Sequence, residues 1–165
     1  MNPKNILEEV RKRIFDRLDS LLVLDKDNYK NCGLGFEAWF KIEVLKALES
    51  LNYDVKVRNM GPDLVLNSVN EKTIYIELKS SNESNNYAWI KSGLKQKHSH
   101  NHKADMCLFL MRYPNNTNPN EVRKWENKLK GKNENDLIYL PVNDTTGITD
   151  ISKEWVVGII EKKQK

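Results

Sequence analysis

Nine consecutive residues, ADMCLFLMR (104–112), carry only two charged side chains, one near each end. A run that short and that dense in apolar residues reads as a strand buried on both faces. Such a strand needs a covering layer on each side of its sheet. The rest of the chain supplies candidates for both layers. Leu7, Val10, Ile14, Leu18, Leu21 and Leu22 recur at helical spacing and predict one amphipathic helix over 5–24. A second helix is expected from about Phe36 to Leu51, with Asn52 as its end signal. YDVKVR (53–58), DLVLN (63–67) and TIYIELK (73–79) read as strands, the last two joined by a polar turn. SNESNN (81–86) offers capping residues for a helix at about 87–98. Beyond the buried run, Asn118-Pro119 opens a helix to about Lys130, and DLIYLPV (136–142) and EWVVGII (154–160) are further strand candidates. The expected class is α/β, more narrowly α+β: a central mixed β-sheet flanked by helices.

Length and charge narrow the setting. A chain of 165 residues with no repeat and no linker favours one domain over 1–165. No apolar run is long enough to cross a bilayer, and the charged, amphipathic N-terminus lacks a signal-peptide core. A cytoplasmic protein with no membrane partner is expected. Cys32 and Cys107 form no CxxC pair and are expected to be reduced and inert. The net charge of +4 permits a polyanionic partner, though solvated faces account for it as well.

The third strand raises the chemical question. Alternation points Tyr75, Glu77 and Lys79 to one face and Ile74, Ile76 and Leu78 to the other. A carboxylate and an ammonium on a central strand are costly unless paired or used. Asp63 follows Gly61-Pro62, where a tight bend releases the neighbouring strand. If 63–67 and 73–79 form a hairpin, Asp63 meets Glu77 and Lys79 at one sheet edge. Two carboxylates can hold a hard cation together with waters and a phosphate. A cation there orients a water and stabilises charge on a phosphate oxygen. The plain alternative is an ion pair at a strand end.

The second helix adds an acid. At about 100° per residue, Phe36, Phe40, Val44, Ala47, Leu48 and Leu51 form an apolar stripe. Glu37 falls inside that stripe, and Glu43 sits just beyond its edge. A carboxylate in a core-facing stripe needs a partner or a metal. A salt bridge to Lys79 or another basic side chain would serve equally.

With Pro62-Asp63, then Glu77-Leu78-Lys79 fourteen positions after the aspartate, and Glu37 on the preceding helix, the sequence resembles the PD-(D/E)xK, or restriction-endonuclease-like, nuclease superfamily. That core runs α-β-β-β-α-β and corresponds to roughly 36–112. The resemblance implies a metal-dependent DNA endonuclease that hydrolyses phosphodiester bonds with Mg²⁺, or Mn²⁺ in its place. By position, Asp63, Glu77 and the backbone carbonyl of Leu78 would ligate the metal. Lys79 would act on the attacking water, and Glu37, with Glu43 as the second choice, would support the metal or its water. Members include restriction enzymes and Holliday-junction resolvases. The small size fits a compact, structure-directed enzyme slightly better. A non-catalytic nucleic-acid-binding module that keeps the fold is the competing reading.

Other basic residues are candidates for DNA contact. Lys91 and Lys95 share a helical face with His98 one turn on, and Gln96 and Lys97 lie between. An exposed basic helix explains them equally. Arg58, just before the Gly-Pro turn, is placed for a phosphate or for plain surface exposure. His98, His100 and His102 form an HxHxH run, a weak zinc pattern better read as a solvated loop. Trp39, Trp89, Trp125 and Trp155 are expected in core or interface packing rather than base stacking. Nucleases that cut both strands are often two-fold symmetric, which is the warrant for a homodimer.

Overall fold

A computed structural model describes residues 2–24, 36–58, 62–67, 73–81, 87–94, 103–112, 120, 124, 127–128, 136–139 and 155–162. The elements are α1 (Pro3–Phe15), α2 (Leu18–Leu24), α3 (Phe36–Ser50), β1 (Asp54–Val57), β2 (Leu64–Asn67), β3 (Ile74–Ser81), α4 (Tyr87–Ser92), β4 (Met106–Arg112), β5 (Asp136–Tyr139) and β6 (Trp155–Lys162). The strands form one six-stranded sheet in the order β1-β2-β3-β4-β6-β5. β3 and β4 are parallel; the other neighbouring pairs are antiparallel. The molecule is therefore α+β with a mixed sheet, and helices pack on both of its faces. Among the described residues, no helix is long and apolar enough to cross a membrane.

β4 shows why the run at 104–112 had to be covered twice. Met106, Leu108 and Leu110 pack with α1 and α3 residues on one face. Cys107, Phe109 and Met111 pack with Ile90 and Leu94 on the other. The covering is tight at the end of α4: a Cβ on Gly93 would lie 2.6 Å from Cys107 Sγ. At the start of β4, the Asp105 N–H donates to the Tyr75 carbonyl at 2.8 Å. Asp105 Oδ2 in turn accepts from the Tyr75 N–H at 3.0 Å. That reciprocal pair holds β4 in parallel register beside β3.

The expected single helix over 5–24 is two helices. Asn2 caps the first, accepting from the Lys4 N–H at 3.0 Å, and Pro3 stands in its first turn. At Asp16 and Arg17 the ladder tightens, and the Arg17 N–H bonds Ile14 O at 3.1 Å. The apolar stripe continues across the break, since Ile14 and Leu21 are both buried. Hydrophobic periodicity alone therefore could not reveal it. The helices expected at 36–51 and 87–98 are α3 and α4, with 95–98 outside the described residues, as are most of 118–130 and 140–142.

Asn52 ends α3 as its sequence position suggests. Its φ is 60°, in the left-handed region. The Asn52 N–H bonds Glu49 O at 2.9 Å and the Tyr53 N–H bonds Leu48 O at 3.0 Å, the pattern of a Schellman cap. Asn52→Ala is expected to lower stability by about 1–2 kcal/mol and Asn52→Gly to leave it nearly unchanged, as read by urea unfolding.

Glu161, near the end of β6, is half-buried, and its Oε2 is shut off from water with no hydrogen-bond partner among the described residues. Burial pushes its pKa up. The folded chain thus holds this proton more tightly than the unfolded chain. Stability from that proton is complete below the ordinary glutamate range and is lost as pH rises through the raised value. Glu161→Gln is expected to flatten this fall in unfolding free energy, measured from about pH 4 to 7.

Candidate active site

β3 carries the site. Ile76 and Leu78 join the α1–α3 side of the core, so alternation turns Glu77 and Lys79 to the α4 side. Both are buried, each 4% exposed. Lys79 Nζ donates to Glu77 Oε1 at 2.8 Å. The same ammonium lies 4.3 Å from the centre of the Trp89 ring. Lys79 is thus lodged between a carboxylate and an indole face, which offsets part of the cost of burying its charge.

Asp63 comes in from the edge of β2. The register pairs Leu64 with Ile76, so Asp63 reaches β3 at its site end. Its Oδ2 accepts from the Leu78 N–H at 2.9 Å, the residue between Glu77 and Lys79. Its backbone carbonyl accepts from the Arg58 N–H at 3.3 Å, which ties the end of β1 to the start of β2. Asp63, Glu77 and Lys79 do cluster, but on two interior strands of the sheet rather than at its edge. Cys107, opposite Glu77 in the register, is also there. Its thiol is buried and its pKa is pushed far up, first by burial and then by the Glu77 carboxylate, with Lys79 opposing and Asp63 adding. Cys32 lies outside the described residues.

The helix acid is corrected. Glu37 is exposed rather than set in the core-facing stripe, and Glu43 is buried at 4% exposure. The wheel gave an angle but not the covering elements. Glu37 stands in the first turn of α3, before Phe40 begins the buried stretch. α3 packs on α1 as well as on β1 and β3, which widens its buried arc toward Glu43. There Arg13 Nε lies 3.4 Å from Glu43 Oε2. This pair belongs to the α1–α3 side, whereas Glu77 and Lys79 face α4.

Lys41 is a site residue that the sequence reading missed. Its Nζ donates to Asp63 Oδ1 at 3.1 Å, with both side chains about one-fifth exposed, 23% and 21%. Its one signal was position, one helical turn after Glu37 on the same face. Trp89 was expected in packing but is 42% exposed. Arg58 is half-buried just after β1, and Lys91 stands in α4 with its side chain outside the described set. Lys95, Gln96, Lys97, His98, His100 and His102 lie outside the described residues. A surface groove of about 520 Å³ running from Asn5 to Phe15 and Leu51 includes none of the four candidate catalytic residues.

Comparison with protein-family models, with curated proteins and with solved structures returned no match. The site must therefore speak through its own chemistry. Among the described residues, no three histidine, cysteine, aspartate or glutamate side chains converge into a metal cage. Two carboxylates on adjacent strands nevertheless suit a hard divalent cation, which commonly takes one or two protein carboxylates and completes its shell with water and phosphate. Each carboxylate now meets a lysine, so the donor set is already arranged around positive charge.

Proposed function

We propose that the chain is a magnesium-dependent DNA endonuclease, with Mn²⁺ able to substitute, built on Asp63, Glu77 and Lys79. The observation that carries the reading is the buried Glu77–Lys79 pair, 2.8 Å apart, with Asp63 bonded to the backbone between them. A hairpin that served only packing would bury none of these charges. The order helix, three strands, helix, strand over 36–112 is compatible with a restriction-endonuclease-like core and supports the reading.

Asp63 and Glu77 would hold the magnesium, with the Leu78 carbonyl as a further oxygen. When bound, the ion supplies an activated water and offsets charge on a phosphate oxygen. Lys79 holds a fixed ammonium beside that place, kept there by Glu77 and the Trp89 ring, and can orient a water or neutralise the phosphate. Lys41 adds a second ammonium that can move from Asp63 to a phosphate, since both ends are partly exposed. Glu37 is exposed one turn before Lys41, and the buried Glu43 is paired with Arg13, so neither helix acid is given a metal here.

The test is cleavage of duplex, single-stranded and branched DNA with Mg²⁺ or Mn²⁺. Metal-dependent cutting is expected, and the branched arm separates a resolvase-like enzyme from a restriction-like one. A second reading, a non-catalytic nucleic-acid-binding module, is favoured by the lysine already seated on each carboxylate. Salt-sensitive binding without cutting under any metal would select it.

A further inference from the structure

We propose that Trp89 is a stacking platform for an unpaired nucleobase, its ring braced on one face by the buried Lys79 ammonium and offering the other face to the base. The proposal rests on the nuclease reading for its partner, a nucleic acid, and adds a substrate class: DNA that is single-stranded or frayed at the site.

Two observations single this residue out. First, Trp89 is 42% exposed, although α4 buries the adjacent Ile90 fully. Ile90 is wholly covered, whereas Trp89 rests on Lys79 of β3 and keeps part of its ring in solvent. A lone exposed aromatic residue is common and by itself signals nothing. Second, this one touches the site: a buried lysine of the candidate catalytic cluster lies 4.3 Å from its ring centre. The contact fixes the ring, so little side-chain freedom remains to be lost when a base stacks on it. Indole faces accept every base, because each base has a π-face. Lys79 covers one face of the ring, so a base stacks on the other. Paired bases in an intact duplex keep their faces stacked on one another and cannot use the ring without flipping.

The experiment is binding of the full chain to a short fluorescein-labelled oligothymidylate and to a blunt duplex. Anisotropy is read with EDTA present, so that cleavage plays no part. Trp89→Ala is expected to weaken single-strand binding about 5- to 150-fold and duplex binding distinctly less, the latter only through the loosened Lys79. Trp89→Phe, which keeps an aromatic face, is expected to retain most of the affinity. Equal losses on both substrates, no loss on either, or no binding by the parent would overturn the platform. If Trp89→Ala does not fold by circular dichroism, tryptophan emission decides. Oligothymidylate should quench the parent and quench Trp89→Phe clearly less, and equal quenching overturns the proposal. Cleavage of the same strands with Mg²⁺ separates the two ideas. Trp89-dependent binding without cleavage sinks the nuclease reading and keeps the platform. Cleavage with Trp89-independent binding sinks the platform alone.

Discussion

Asp63→Asn is expected to fold and to lose cleavage by about 10²- to 10³-fold, the scale of removing one preorganised charge from a transfer site. Asp63 has two tasks that this variant separates. Its Oδ2 caps the Leu78 N–H at 2.9 Å, and its Oδ1 meets Lys41 at 3.1 Å. Asparagine keeps an oxygen for the N–H and discards the charge. Asp63→Ala removes both, so it should also lose stability by about 1–3 kcal/mol, the cost of leaving a partly buried donor unmet. The measurements are initial cleavage rates with Mg²⁺ and urea unfolding of the same preparations. An Asn variant that cuts as fast as the parent would show that the site has been misassigned.

Lys79→Met should unfold the protein most readily among single changes at the site. The Glu77 carboxylate would stay buried without the ammonium that it meets at 2.8 Å. Removing one partner of a buried pair costs about 3–5 kcal/mol. For a chain of this size each kcal/mol moves Tm by roughly 2–4 °C, so a fall on the order of 10 °C is expected in calorimetry. The loss should shrink in acid, since a desolvated glutamate without a counter-charge can escape by protonation. The double variant Glu77→Leu/Lys79→Met should recover the stability, because apolar replacements of buried pairs are often neutral or stabilising. It should cut nothing. Stability regained with activity gone is what a pair kept for chemistry would give. A double variant as unstable as Lys79→Met would instead assign the pair a structural role.

Much of this architecture was legible in the residues. The apolar density of 104–112 demanded a sheet covered twice, and β4 is covered by α1 and α3 on one face and α4 on the other. The two-residue period put Glu77 and Lys79 on one face, and the antiparallel pairing of the second and third strands put Asp63 beside them. Asn52 announced the end of α3. Each of these follows from a rule that acts within a few residues of the chain.

Glu37 marks where such rules stop. Its wheel angle matched the buried stripe, yet Glu43 is the buried acid. An angle states which way a side chain leaves its helix. It does not state where along the helix the covering begins or which second helix packs alongside. The same gap hid Lys41 on Asp63, Arg13 on Glu43 and Trp89 on Lys79. These contacts join residues distant in sequence, and no local period encodes them. The chain alone thus settled the kinds of elements and the faces of β3. Long-range packing settled which charges are buried, which are paired, and which aromatic ring stands beside them, because burial depends on the neighbouring element as much as on the residue.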